Sequence, residues 1–342
     1  MDGKRRKISA IIACYRDAQA IPIMAERLET VFQKVGVDYE IIFVNDGSPD
    51  DTQAVLERLT AANPHIKGIT HSRNFGSQNA FTSGMKLATG DACVLLDGDL
   101  QDPPEVIEAF YEKWIEGFDV VYGVRVRREM PRLLELAYKG FYRLFQSMAY
   151  IRVPVDAGDF SLIDRKVVNV LNGLPERDRF VRGLRAWAGF RQTGVPYVRP
   201  ERMFGRSTNN ILANIRWAKK GIFSFSYIPL EMISLGALGV SLLAVVAIII
   251  QVLGRLLRPD IPQGIPTVIV VSLFLGAINL LSLSFIAEYL IKIFEEVKQR
   301  PQFIVTRLLN FDESAAASAT PTAESAAAAQ PAPASGLTIN RS

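Results

Sequence analysis

The stretch Ala92-Cys93-Val94-Leu95-Leu96-Asp97-Gly98-Asp99-Leu100-Gln101-Asp102-Pro103-Pro104 joins a short apolar run to a cluster of acids. Ala92–Leu96 has the length and apolar content of a buried strand, and the paired prolines suit the first turn of a helix. The acids therefore fall at the strand's carboxyl end. Two residues apart in an extended segment, Asp97 and Asp99 point to one side, with the Gln101 amide close by. Hard oxygens in this pattern suit an octahedral Mg²⁺ or Mn²⁺ that also takes diphosphate oxygens. Roughly one Asp-x-Asp is expected by chance in a chain this long, so its place at a strand end gives the triplet its weight. Asp102 is the expected N-cap of the helix that follows.

Outward from this strand, the runs at Lys7–Cys14, Tyr39–Val44, Ile66–His71 and Val120–Tyr122 also read as strands. Between them, Ile21–Val35, Asp51–Ala62, Ser77–Ala88 and Pro104–Glu116 carry helical periodicity. This alternation predicts an α/β, Rossmann-like fold with a mostly parallel sheet covered on both faces, and ligands at the strands' carboxyl ends. Polar residues crowd that edge in Cys14-Tyr15-Arg16-Asp17, Asn45-Asp46-Gly47-Ser48 and Ser72-Arg73-Asn74-Phe75-Gly76. Neither a Gly-x-Gly-x-x-Gly fingerprint nor a phosphate-binding P-loop occurs, which disfavours a dinucleotide enzyme or a P-loop NTPase. Cys14 and Cys93 fall in the predicted buried strands and read as small core residues of a reducing compartment.

The 342 residues include 39 Lys+Arg against 35 Asp+Glu and are 49% hydrophobic, with a mean hydropathy of +0.15. That average mixes unlike regions. Ile233–Leu253 and Thr267–Ala287 lack Asp, Glu, Lys and Arg, and about 20 residues of helix cross a ~30 Å hydrocarbon core. A transmembrane hairpin is expected. Lys219 and Lys220 before it, and Lys292, Lys298, Arg300 and Arg307 after it, outnumber Arg255 and Arg258 in its loop. The positive-inside bias then puts both termini in the cytoplasm, as for a multi-pass protein of a cell inner membrane. The opening MDGKRRK and Ile8–Cys14 lack the pattern of a signal peptide. The predicted organisation is a cytoplasmic domain over 1–208, an amphipathic juxtamembrane helix over 209–230, two membrane helices within 231–290, a post-membrane segment over 291–311 and a disordered Ala/Ser/Pro-rich tail over 312–342. The segment 133–150 is a second candidate for the bilayer surface. The net charge of +4 calls for no nucleic-acid partner, since basic residues gather at 125–216 and beside the apolar spans.

The motifs Val44-Asn45-Asp46-Gly47-Ser48, Ser72-Arg73-Asn74-Phe75-Gly76 and Asp97 through Glu105, with Ala157-Gly158-Asp159-Phe160 and Leu174-Pro175-Glu176-Arg177, resemble those of family 2 glycosyltransferases. They are most similar to the polyisoprenyl-phosphate subgroup, relatives of dolichol-phosphate mannose synthase and of bacterial undecaprenyl-phosphate glucosyltransferases. The resemblance covers about residues 7–310. It implies a GT-A type domain that transfers a sugar, with inversion, from a nucleotide-diphosphate donor, UDP-glucose first, to a polyprenyl phosphate. It also implies that Asp46 holds the base or ribose, that Asp97 faces the ribose and diphosphate, and that Asp99 and Gln101 ligate the metal. Asp159 takes the position of the catalytic base, and its alternative reading is a turn residue after Gly158. Tyr15, Asp17 and Arg73 are further nucleotide candidates; Asp17 and Arg73 could equally be strand-end salt bridges.

A phosphate monoester is largely dianionic at neutral pH, so the acceptor needs collecting cations more than a strong base. Arg125, Arg127, Arg128, Arg202 and Arg206 are the candidates for that phosphate. The chain departs from the family where Ser161 stands in place of Arg and Thr208 in place of Lys, which removes two cations. Two other readings stand beside this one: a processive polysaccharide synthase, whose Gln-x-x-Arg-Trp motif is replaced here by Arg182-Gly183-Leu184-Arg185-Ala186-Trp187, and a non-catalytic membrane-bound assembly subunit. Paired hairpins leave room for a homo-oligomer.

Overall fold

The computed structural model describes residues 5–126, 157–200, 203–204, 226, 228–257 and 264–312. Its first half follows the predicted alternation: β1 (Lys7–Cys14), α1 (Ile21–Val35), β2 (Asp38–Asn45), α2 (Thr52–Ala62), β3 (Ile66–His71), α3 (Ser77–Leu87), β4 (Ala92–Asp97), α4 (Val106–Ile115) and β5 (Val120–Arg125). There follow β6 (Ala157–Asp164), α5 (Arg165–Gly173), α6 (Val181–Trp187), β7 (Gln192–Tyr197), α7 (Ile228–Leu257), α8 (Ile265–Val297) and β8 (Val305–Leu309). The eight strands form one sheet in the order β7-β5-β6-β4-β1-β2-β3-β8. Strands β3, β2, β1 and β4 pair in parallel, as do β5 and β7. Strand β6 runs antiparallel between β4 and β5, and β8 is antiparallel at the edge beside β3.

The period of two along the strands decides which layer each residue joins. Ile8, Ala10 and Ile12 of β1, with Val94 and Leu96 of β4, pack on one face with Met24, Leu28 and Phe32 of α1 and Phe110 and Trp114 of α4. Ile11, Ala13, Cys93 and Leu95 face the other way, toward Phe81 and Met85 of α3 and Val168 and Leu171 of α5. Both layers are dry, and both cysteines are buried and free, with burial raising each thiol pKa. Burying both faces of β1 and β4 is the reason their sequences read as unbroken apolar runs.

Helices α7 and α8 are long and apolar enough to cross a membrane, and their most apolar windows, Leu230–Ala247 and Val268–Val297, are 0% buried. That exposure excludes the reading as buried core helices. Helix α8 does not stop at the end of its apolar run but continues to Val297, bringing Lys292 and Glu296 against the globular domain. The 291–311 stretch, expected to be a separate post-membrane segment, supplies β8 to the sheet and is continuous with the domain built from the first half of the chain. The amphipathic stretch through 225, the candidate surface segment 133–150 and the tail from 313 onward lie outside the described residues.

Candidate active site

Strand polarity and register bring the site together before any side chain is considered. The parallel strands β1, β2, β3, β4, β5 and β7 end on one edge. Antiparallel β6 starts there, and its pairing of Leu95 with Ser161, extended by two residues, sets Asp159 opposite Asp97. Asp159 therefore sits in a strand, not in a turn. Gly98 lies where the end of β1 crosses closely: a Cβ there would come within 2.9 Å of Ala13 O and 3.1 Å of Asp17 Oδ2. Leu100, buried beyond the acids, has φ of +61°, a left-handed conformation that a branched side chain adopts at a cost. This turn folds the backbone so that Gln101 N–H donates to Asp99 Oδ1 at 3.1 Å.

Asp97 keeps 37% of its side-chain surface, yet its pKa is raised, first by the protein crowded around it and then by the charges of Asp102, Asp159 and Asp99; Arg199 pulls the other way. Arg199 Nη2 stands 3.9 Å from Asp97 Oδ2 and 4.0 Å from Asp99 Oδ2. Gln101 spends its Nε2 on Pro200 O at 3.3 Å, which leaves its Oε1 as the ligand atom of that amide. Among the described residues no three His, Cys, Asp or Glu side chains converge to enclose a metal. Two carboxylates and an amide do fit a Mg²⁺ or Mn²⁺ that keeps waters and takes phosphate oxygens.

Asp102 is not the expected N-cap, because α4 begins later, at Val106, with Glu105 at its cap position. The Asp102 side chain is instead buried and accepts from Tyr197 Oη at 2.6 Å. Tyr197 in turn accepts from Arg125 Nε at 3.3 Å. Burial works against the Arg125 charge, but Tyr197 and the carboxylates of Asp102 and Asp97 outweigh it and raise its pKa. Arg125 thus reaches the site edge as a fixed, half-buried cation.

Asp159 is held from two sides. Its Oδ2 accepts from Gln78 Nε2 at 2.8 Å, and its Oδ1 lies 3.6 Å from Arg182 Nε. Arg185, 1% exposed, reaches Gly158 O at 3.4 Å and lies over the Tyr122 ring at 5.3 Å. Burial lowers its pKa to about 10, opposed by the nearby Asp159. At the position where the family has Arg, Ser161 is fully buried and donates to Asp159 O at 2.8 Å, so it brings no cation to the site. Arg182, Arg185 and Arg199, with Arg125 at the edge, are cations that the described residues supply there.

At the ends of β2 and β3, Asp46, expected to hold a base or ribose, has a carboxylate already filled by protein donors. His71 Nδ1 and Phe75 N–H bond its Oδ1 at 2.9 and 2.8 Å, and Gly76 N–H bonds its Oδ2 at 2.7 Å. Asp46 therefore shapes the 72–76 loop, and a base or ribose held at this end of the sheet meets the loop that Asp46 has set. Gly47, at φ +62°, has the Arg73 backbone 2.4 Å from where a Cβ would stand, so the two loops touch backbone to backbone. Arg73 lies 5.0 Å over the Phe75 ring and forms no ion pair among the described residues. Asp17 folds back on its own turn, its Oδ2 accepting Tyr15 N–H at 3.0 Å, while the Tyr15 ring is 36% exposed at the edge. Arg127, Arg128, Arg202, Arg206 and Thr208 lie outside the described residues.

Sequence reasoning missed Gln78, Tyr197 and Arg199, and it took Arg182 and Arg185 only as a failed synthase motif. The one available signal was the density of arginines around 177–199.

The Glycosyl transferase family 2 pattern matches residues 9–171. An uncharacterized glycosyltransferase of Synechocystis is 40% identical over 305 residues, covering 88% of this chain and 95% of its own. One from Bacillus subtilis is 39% identical over 300 residues, covering 87% and 93%. The bactoprenol glucosyl transferase of Shigella phage SfII is 33% identical over 302 residues, covering 88% of this chain and 98% of its own. Identity of this order over nearly the whole length of each relative, together with a carboxylate-lined edge on an α/β sheet, makes the chain a glycosyltransferase of family 2.

Proposed function

We propose that this glycosyltransferase moves a sugar, glucose from UDP-glucose in the first instance, onto the phosphate of a membrane-held polyprenol such as undecaprenyl phosphate. The observation that carries the reading is the meeting of Asp97, Asp99, Asp102 and Asp159 at one sheet edge of a domain tied to two exposed apolar helices. A water-soluble nucleotide sugar and a lipid phosphate need such an arrangement, and the relative named bactoprenol glucosyl transferase supports the same pairing of substrates. The catalytic domain and both termini then face the cytoplasm.

In this reaction an acceptor phosphate oxygen attacks the anomeric carbon while the bond to the nucleoside diphosphate breaks, a single displacement that inverts the centre. Asp99 and the Gln101 amide would hold a Mg²⁺ or Mn²⁺, which when bound supplies positive charge against the leaving diphosphate. Asp97 turns toward the ribose and diphosphate, and Arg199 is the cation of this chain nearest to both acids. Tyr15, Asp17 and the loop shaped by Asp46 border the nucleotide, with Arg73 beside it. Arg125, held by Tyr197, begins the run of cations that collects the acceptor phosphate. Asp159 orients that phosphate and takes its proton when it arrives as the monoanion.

The test is a donor screen of the full chain in nanodiscs with undecaprenyl phosphate, following lipid-linked sugar. UDP-glucose should give product that disappears with chelator and in Asp99→Ala, the latter by at least about 100-fold. Absence of product with every nucleotide sugar would overturn the reading.

A further inference from the structure

Gln78 lies in the first turn of α3 and is 6% exposed. Its Oε1 accepts the backbone N–H of Val181 at 2.7 Å, and its Nε2 donates to Asp159 Oδ2 at 2.8 Å. A backbone N–H can only donate, so Oε1 must face Val181 and the NH₂ group must face the carboxylate. The amide therefore has one orientation, set by the main chain. Its donation, at 2.8 Å, fixes the carboxylate in one rotamer.

The groups facing Asp159 come from three elements. Arg182 and Arg185 approach from α6, Asp97 from β4 and Gln78 from α3. Among these four only Gln78 makes a hydrogen bond shorter than 3 Å to the carboxylate, Arg182 Nε standing at 3.6 Å. Residues 81 and 103 positions away from Gln78 in the chain meet on its one amide.

The link extends further. Val181 opens α6, and the segment before it is gripped by the end of α8: Arg177 N–H donates to Glu296 Oε1 at 2.8 Å, Arg177 Nη1 donates to Arg300 O at 3.0 Å, and Lys292 pairs with Asp178.

We propose that Gln78 is a positioning residue for the transfer reaction, which holds the Asp159 carboxylate in one orientation and refers its position to the segment that α8 grips. The proposal rests on Asp159 acting on the acceptor, and the experiment separates the two. Full-length protein in nanodiscs is assayed with UDP-glucose and undecaprenyl phosphate from pH 5 to 8, for the parent, Gln78→Ala, Gln78→Glu and Asp159→Asn. Gln78→Ala, assayed well below its own thermal midpoint, which falls by the loss of the Val181 bond, lowers kcat about tenfold or more while the donor KM stays within about twofold. Gln78→Glu, of the same size, sets a second carboxylate against Asp159 at neutral pH. It is expected to be the slower enzyme above about pH 7 and to regain rate as the pH falls, once a protonated Glu donates as the amide did. A Gln78→Glu profile parallel to the parent's overturns the proposal, as does a loss in Gln78→Ala that merely follows lost stability. If Asp159→Asn keeps full rate, the role of Asp159 fails and the proposal with it. If Asp159→Asn is inactive and the Gln78→Glu profile is parallel, the role of Gln78 alone fails.

Discussion

Glu40 lies at the end of the sheet opposite the active site and shows what one buried charge contributes. Its side chain is 2% exposed and receives Ser9 Oγ at 2.6 Å, Thr89 N–H at 2.7 Å, Lys67 Nζ at 2.8 Å and Lys7 Nζ at 3.2 Å, which ties β1, β2, β3 and the end of α3 together. Burial alone would raise its pKa, but the bonds from Lys67, Ser9 and Thr89 outweigh that and lower it to about 2. A folded-state pKa below the unfolded value means stabilisation that is complete above about pH 5 and is lost as pH falls toward 2, amounting to about 3 kcal/mol. Urea unfolding of the parent and of Glu40→Gln should therefore differ by roughly that amount at pH 7, by about half of it at pH 3, and converge as pH falls to about 2; a constant gap would show that the charge is not the source. The same scale shows which site residues could be read from sequence. Asp97, Asp99 and Asp159 were legible because each sits in a local pattern, a strand end or a short motif. Gln78, Tyr197 and Arg199 take their meaning from partners that only folding supplies, as do the bonds from His71 and the 72–76 loop to the Asp46 carboxylate.

Among elements, β8 is the one whose place the sequence hid. The run Val305–Leu309 is short, follows a long apolar helix and is separated by more than 200 residues from β3, so periodicity could not say which strand it joins. The parallel core was legible for the opposite reason: its apolar runs and intervening helices alternate within the first 125 residues. Once paired, β8 covers the open edge of β3, with Leu309 opposite Gly68 and Val305 opposite His71. Just before it, Phe303 stacks on His71 with ring centroids 5.3 Å apart, Ser72 N–H donates to Ile304 O at 3.0 Å, and Gln302 Nε2 donates to Glu176 O at 2.6 Å. Phe303 thus roofs the His71–Asp46 pair that shapes the nucleotide-side loop. Phe303→Ala is expected to cost about 3 kcal/mol by removing a buried aromatic ring, whereas Ile304→Ala, at a residue 45% exposed, costs less than about 1 kcal/mol. Thermal unfolding of the two variants checks this, and equal losses would mean that the roof over His71 bears no particular strain of packing.

In the whole molecule, the hairpin of apolar helices α7 and α8 is an insertion between two parts of one sheet. The chain leaves the globular domain, runs out along α7, returns along α8 and finishes the sheet with β8, while Arg307 pairs with Glu57 and Asn310 Nδ2 caps Thr60 O at 2.7 Å and Ile66 O at 2.9 Å. The C-terminal end of the hairpin is consequently fixed to the globular domain, and Tyr289 Oη donating to Ser226 O at 2.8 Å ties the start of α7 to α8. A catalytic domain cut off after residue 226 would expose the β3 edge, a template for intermolecular pairing, and would leave His71 without its cover. Replacing 228–291 by a flexible linker of about 20 residues keeps β8 in the chain at little extra closure entropy. The linked chain should remain monodisperse on size exclusion and unfold cooperatively, while the truncated chain aggregates under the same conditions. If the two behave alike, β8 is dispensable and the domain is complete before the membrane. If they differ as expected, the globular domain and the two apolar helices are one folding unit, and the sheet is closed only by residues that follow both helices.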